Sequence, residues 1–232
     1  MVQKPQSKTW IVVIIAIIST AGIICVALIV FGTPFANKLA DRYFTPDETP
    51  GLVLNFEGSF NGADGEQGYD SGLSFVSGHS GQAVLFNKEN TLYYLTGNNI
   101  SPRQGAIELW LKPLWNGNDS QNHVFFEIGD SWFNRMRIMK DGANNFRFLV
   151  WSSTDEYGVA YNVSDWVAND WHKVRVTWQN DSISLYLDGI LRDSKTSVIM
   201  PSSLSSQLYI GSSILQEGME AQSVIDEFII YR

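Results

Sequence analysis

Trp171-His172-Lys173-Val174-Arg175-Val176-Thr177-Trp178, with Leu185-Tyr186-Leu187-Asp188-Gly189 shortly after it, is the stretch that decides the fold. Val174, Val176 and Trp178 fall on one side of an extended chain, and Lys173, Arg175 and Thr177 on the other. A period of two marks a strand with one face on a core and one on solvent or a ligand. Ile183, Leu185 and Leu187 line up in the same way. Asp188-Gly189 is a dipeptide that accepts the positive φ angles of a tight hairpin turn. The stretch therefore predicts an antiparallel pair whose apolar face needs a second layer to cover it.

Working outward, Ile107-Glu108-Leu109-Trp110-Leu111 alternates with the same period. Phe146-Arg147-Phe148-Leu149-Val150-Trp151 is apolar on both faces after Arg147, as a central strand requires. Asp141-Gly142 and Asn116-Gly117 are further turn signals. No long amphipathic helix and no fixed-period repeat follows residue 50. Residues 51–232 read as one all-β domain.

Five stretches carry a resemblance. They are Gly81-Gln82-Ala83-Val84-Leu85-Phe86, then Gly105 to Pro113 with Trp110-Leu111-Lys112-Pro113 at its end, and the hairpin quoted above. Leu208-Tyr209-Ile210-Gly211 and Ile225-Asp226-Glu227-Phe228 complete the set. In order and spacing they resemble the strands of laminin-G-like domains of the concanavalin A-like lectin/glucanase superfamily. That resemblance implies a two-sheet antiparallel jelly-roll sandwich, with Trp110, Trp171 and Trp178 in its core. It also implies an extracytoplasmic domain. It implies a Ca²⁺ site drawn from Glu57, the Gly81 carbonyl and Asp226, since a hard cation takes several oxygen ligands. The alternative for Glu57 and Asp226 is that they are surface residues near strand ends.

Composition narrows the partners. Hydrophobic residues make up 44% of the 232, enough for a packed core. Residues 51–232 hold 12 basic and 21 acidic side chains, against four and three before them. Such an acidic domain repels phosphate backbones, which argues against nucleic acid. The single cysteine, Cys25, precludes a disulfide and a cysteine metal site. His79, His123 and His172 lack metal-ligand spacing.

Ile11 to Phe31 is 21 residues without a charge. As a helix it would span about 30 Å, the thickness of a bilayer's hydrocarbon. The apolar run exceeds that of a signal peptide, and no good cleavage site follows. The expectation is a short cytoplasmic N-terminus (1–9), a single transmembrane helix (10–32), a linker (33–50) punctuated by Pro34, Pro46 and Pro50, and the β-sandwich (51–232) outside the cytoplasm.

Sugars are gripped by aromatic faces and fixed polar groups. Trp115, Trp132, Tyr157, Tyr161 and Trp166 lie in or beside turn-like stretches, and Arg135, Arg137 and Arg147 alternate on neighbouring strands where they can share a face. The bland alternative is that the aromatics cap the core and the arginines solvate a sheet. Glycosidases need two carboxylates on one face. Asp226-Glu227 and Asp155-Glu156 are adjacent pairs, which a regular strand sends to opposite faces. No nucleophile elbow, zinc-protease helix or P-loop occurs. The reading is a membrane-anchored, non-catalytic module for a glycan or surface protein. The alternatives are a single-span accessory subunit of a membrane complex and a glycoside hydrolase.

Overall fold

The computed structural model describes residues 49–232, apart from 88, 89, 130, 154, 214 and 217, together with the backbone of two N-terminal strands, β1 (Val12–Ser19) and β2 (Gly22–Ile29). Two compact units result, Met1–Thr45 and Pro46–Arg232.

In the first unit β1 and β2 pair antiparallel, with Ser19 opposite Gly22. The sequence predicts a continuous helix here. The difference has a local cause: Val and Ile dominate both segments, and their branched Cβ atoms favour extended backbone. Ser19-Thr20-Ala21-Gly22 interrupts the apolar run between them. No helix among the described residues is long and apolar enough to cross a membrane. The rest of the predicted anchor and most of the linker lie outside the described residues.

The second unit is an all-β sandwich of two antiparallel sheets. Its strands are β3 (Pro50–Leu54), β4 (Tyr69–Ser71), β5 (Ser74–Ser77), β6 (Gln82–Phe86), β7 (Thr91–Leu95), β8 (Gln104–Pro113), β9 (His123–Gly129) and β10 (Asn134–Lys140). They continue with β11 (Asn145–Ser152), β12 (Asp155–Asn162), β13 (His172–Gln179), β14 (Ser182–Leu187), β15 (Ile190–Lys195), β16 (Gln207–Ile210) and β17 (Ser223–Tyr231). One sheet runs β12-β11-β10-β9-β16-β7-β4. The other runs β15-β14-β13-β8-β17-β6-β5, with β3 also paired to β17. This arrangement is consistent with a jelly roll.

The alternation read from sequence is what fills the core. Ile107, Leu109 and Leu111 of β8, Val174, Val176 and Trp178 of β13, and Phe146, Phe148 and Val150 of β11 all face one main cluster. Several motif residues are explained by close approach. A Cβ on Gly105 would sit 2.5 Å from the Trp178 ring, and one on Gly211 (φ 73°) would collide with Phe86. Trp178 Nε1 donates to the Ser101 carbonyl at 2.8 Å. Asp188 has φ 55° in the two-residue turn between β14 and β15, and its carboxylate accepts the Lys173 amide at 2.9 Å. Trp110 and Trp171 depart from expectation. They are half-buried on the outer face of the second sheet, where His79 stacks on Trp110 at 3.6 Å and meets Trp171 edge-on. The reason is parity: Trp110 lies between Leu109 and Leu111, so its side chain leaves the opposite face.

Candidate functional site

The outer face of the seven-stranded sheet collects side chains from all its strands. Leu92, Tyr94, Leu208, Ile210, Met136, Ile138 and Phe148 point into the core. Their neighbours therefore point out. Strand register puts Tyr69 opposite Tyr93, Tyr93 opposite Tyr209, Tyr209 opposite Glu127, Glu127 opposite Arg137, and Arg137 opposite Leu149. At about 4.8 Å per strand this row is roughly 24 Å long from Tyr69 to Leu149. Its first half is aromatic. The Tyr69 and Tyr93 rings stack at 4.8 Å, and Tyr93 meets Tyr209 at 5.8 Å. Burial first, then Tyr93 and Glu127, push the Tyr209 hydroxyl above its ordinary value, so it stays a neutral donor, bonded to Gln207 at 2.8 Å.

The middle of the row is polar and fully answered. Arg137 is 3% exposed and Glu127 0%. Arg137 Nε donates to Glu127 at 2.5 Å, Nη1 to Gln216 at 2.6 Å and Nη2 to Ser213 at 3.1 Å. Ser213 Oγ also donates to Glu127. Both partners come from the segment after β16, which passes over this part of the sheet. Met219, from the same segment, packs on a small second cluster of Val124, Met139 and Leu149.

Arg135, two residues away on the same face, is different. It is 1% exposed, and its Nε and Nη1 have no hydrogen-bond partner. Its guanidinium lies 3.7 Å from the Trp151 ring centre and 4.3 Å from that of Trp132. Cation–π contacts of this kind contribute up to about 2 kcal/mol when desolvated. Unmade hydrogen bonds cost about 1–3 kcal/mol each, more on a charged group. Burial, and next the like charge of Arg137, lower the Arg135 pKa to about 10, so it is still a cation at neutral pH. Trp132 and Phe133 beside it are 49% and 59% exposed.

The other predicted site residues divide. Arg147 shares this outer face, opposite Met139, and pairs with Glu156 at 3.3 Å and Asp141 at 3.6 Å. Tyr157 packs against the main core. Tyr161 sits at the sheet edge under Arg192, with its hydroxyl 3.3 Å from that guanidinium. Trp115 and Trp166 are each 8% exposed and belong to the core, which corrects their placement on an exposed surface. Trp115 stacks on His123 at 4.5 Å and donates Nε1 to the Ala221 carbonyl, while Trp166 stacks on His172 at 3.8 Å. A turn-like local sequence does not say which way a ring points.

Glu57, Gly81 and Asp226 do meet, around the loop from Gly78 to Gln82. Asp226, 0% exposed and at a bulge in β17, accepts the amides of His79 at 2.8 Å and Ser80 at 3.0 Å. Glu57 accepts the amide of Gln82 at 3.1 Å, and the Gly81 carbonyl accepts the Gly78 amide. Facing this loop, both oxygens of Asp226 and one oxygen of the exposed Glu57 meet amide donors, so a cation would have to compete for those three oxygens. No cluster of three His, Cys, Asp or Glu forms among the described residues. Elsewhere, a cleft of about 400 Å³ lined by Thr96, Ile100, Pro102 and Leu204 among others lacks charged and aromatic side chains. Its polar side chains are the hydroxyls of Thr96, Ser203, Ser205 and Ser206.

Comparison with known proteins fits this architecture. The sequence profile of the concanavalin A-like lectin/glucanases superfamily, laminin-G type, matches residues 86–232. The chain belongs to this superfamily. No curated protein matches the laminin-G-like chain in sequence. Among solved structures it is similar to domain 4 of AbnA, a GH43 extracellular arabinanase from Geobacillus stearothermophilus, in complex with arabinotriose. That likeness has a TM-score of 0.65 at 15% identity and covers 79% of this chain and 92% of that one. It is also similar to the receptor-binding domain of botulinum neurotoxin mosaic serotype C/D (TM-score 0.64, 15% identity, 79% of this chain and 47% of that one). The binding domain of Paraclostridial Mosquitocidal Protein 1 gives 0.63 at 15% identity, covering 78% and 48%. The laminin-G-like chain thus matches about half the length of the toxin domains. At these identities the likeness is one of fold.

Sequence reasoning had named Trp132, Arg135 and Arg137. It missed Tyr69, Tyr93, Tyr209, Glu127 and Trp151. Period two gives the face each tyrosine takes on its own strand. That β4, β7 and β16 lie side by side is a long-range fact.

Proposed function

We propose that the laminin-G-like domain binds a glycan across the outer face of its seven-stranded sheet, without catalysing its cleavage. The observation that carries this reading is the cross-strand pair of part-exposed rings, Tyr69 and Tyr93, on that face, backed by the buried Tyr209 and the fixed Glu127–Arg137 pair beside them. Part-exposed aromatic rings on a rigid sheet suit a chain of sugar rings, whose faces are apolar. The carbohydrate in the arabinanase-domain structure supports the reading by analogy of fold. A binding role is favoured over hydrolysis because the central carboxylate, Glu127, is held by Arg137 and Ser213. At 0% exposure beneath those partners, Glu127 has no open side from which to reach a glycosidic bond.

We further propose that residues 10–32 anchor the chain as a helix, with the sandwich outside the cytoplasm. A lone two-stranded hairpin leaves backbone groups unpaired at its edges and cannot cross hydrocarbon by itself, so anchoring requires the helical state. Protease added to intact cells should then remove the sandwich. Its full protection would refute this placement.

The binding test uses the full chain in detergent micelles on an oligosaccharide array. Tyr93→Ala should weaken any hit by about tenfold, the loss of one stacking platform. Absence of every hit, or hits indifferent to Tyr93→Ala, would overturn the reading. Release of reducing sugar would revive the glycosidase alternative.

A further inference from the structure

We propose that Arg135 is the recognition point for an anionic sugar, so that the glycan bound on this face carries an oxyanion, a uronate carboxylate first of all. This deepens the glycan-binding reading and rests on it. Three long cations stand on β10. Arg137 is answered by Glu127, Gln216 and Ser213, and Lys140 by Asp119, the Gln121 carbonyl and Asn144. Arg135 alone of the three has two buried N–H-bearing nitrogens without an acceptor. Arg147, on the neighbouring strand, has Glu156 and Asp141. No carboxylate among the described residues forms an ion pair with Arg135; Glu127 and Glu156 act on it only from a distance.

What it lacks is an acceptor, preferably an anion. Guanidinium is planar and rigid, and pairs best with a planar carboxylate that accepts two parallel hydrogen bonds. Its π faces are already in use: Trp151 and Trp132 lie against it. An incoming oxyanion must therefore approach the edge of the guanidinium. Access is over Trp132, a half-exposed side chain on the segment that precedes β10. Exposed side chains change rotamer in picoseconds to nanoseconds, so Trp132 can leave its face of the guanidinium without backbone movement and open a way to the nitrogens behind it. Trp132 and the adjacent Phe133 then offer rings to the sugar that bears the charge. An acidic domain attracts few anions by its overall charge. Selectivity here would come from this one desolvated contact, which salt screens less than a surface charge.

The test compares four probes on the full chain in detergent micelles by calorimetry. They are a tetragalacturonate, its carboxyl-reduced neutral counterpart, a sulfated neutral tetrasaccharide and a tetraglutamate peptide. The expected result is at least tenfold tighter binding of the uronate than of its reduced form. Arg135→Met should bring that ratio to about one. Arg135→Lys, which keeps the charge but loses the planar fork, should leave an intermediate ratio and serves if the methionine variant does not fold. A sulfated probe bound as tightly as the uronate supports a sugar-borne oxyanion of either kind. A sulfated probe bound like the neutral sugar supports the carboxylate. Equal binding of uronate and reduced sugar by the parent chain, or a preference that survives Arg135→Met, overturns the inference while glycan binding stands. If no saccharide binds, the glycan-binding reading itself has failed. If tetraglutamate binds as tightly as the uronate, the site reads a protein carboxylate and the inference is wrong.

Discussion

The two ends of β10 hold buried cations in opposite situations. At its last residue, Lys140 is 0% exposed and donates to Asp119, the Gln121 carbonyl and Asn144. Asp119 also meets His123, 2.7 Å from its second oxygen. At the other end Arg135 is equally buried, and the side chains packed on its guanidinium among the described residues are the indoles of Trp132 and Trp151. A buried charge is tolerated when the protein supplies its partners and is costly when it does not. The Lys140 end is therefore architecture, fastening the loop before β9 to the turn after β10. The Arg135 end is open to a partner from outside.

The largest effect should come from breaking the satisfied end. Asp119→Ala leaves Lys140 buried without its anion. Removing one member of such a pair costs about 3–5 kcal/mol. For a domain of this size that lowers the melting temperature by roughly 6–20 °C. A fall of a degree or less would show that Lys140 finds water and that its burial is not maintained in solution.

Acid sharpens the same contrast. Burial alone would raise the Asp119 pKa, but hydrogen bonds from Lys140 and His123, and then the Gln121 amide, outweigh it and hold the carboxyl below its ordinary 3.8. The folded value is the depressed one. Its stabilisation is complete above the unfolded value and is lost as pH falls through the folded one. The parent protein should lose stability steeply below pH 4, and Asp119→Ala should show a flatter acid limb over that interval. Parallel denaturation curves for the two would remove Asp119 as the cause.

At the unsatisfied end the expected effect is small. Arg135→Met exchanges a charge with unmade hydrogen bonds for an unbranched apolar chain that can keep both indoles in contact. Its stability should lie within about 1 kcal/mol of the parent, either way, by urea denaturation. A loss above about 3 kcal/mol would mean that Arg135 is structural after all, and the two ends would no longer differ in kind.

How much of this contrast could be read in the sequence depends on distance along the chain. The alternation in 172–178 and 183–187 gave the faces of β13 and β14, because the side-chain period of a strand is a local property. The same rule allowed Arg135, Arg137 and Arg147 to share a face, and the β10–β11 register is what brings Arg147 to the side of the other two. The rule could not show that Arg137 has Glu127, ten residues away, and Ser213, 76 away, while Arg135 has neither. Trp115 and Trp166 were misplaced for the same reason. Their exposure depends on packing with each other and with Phe125 and Phe146, and on the Ala221 carbonyl 106 residues from Trp115. Trp151 was legible as part of a strand, but its contact with Arg135 follows from the β10–β11 register, which pairs the two directly.

The loop from Gly78 to Gln82 tests the principle with the charges reversed, and there the smallest effect is expected. Asp226 and Glu57 are anions whose neighbours have answered them: amides of His79, Ser80 and Glu227 for the first, and of Gln82 for the second. If satisfied groups are architecture, this loop should hold its shape on hydrogen bonds. Millimolar Ca²⁺ against a chelator should then move the melting temperature by less than about 1 °C, since a ligand held with a Kd near its own concentration adds only about 0.4 kcal/mol. Asp226→Asn should destabilise the domain equally with and without Ca²⁺, because what it weakens is the grip on two loop amides. A calcium-dependent rise of several degrees that Asp226→Asn abolishes would reverse the assignment. The carboxylates would then be ligands that borrow amide partners when no ion is bound, and a fully hydrogen-bonded charge would no longer identify a purely structural one.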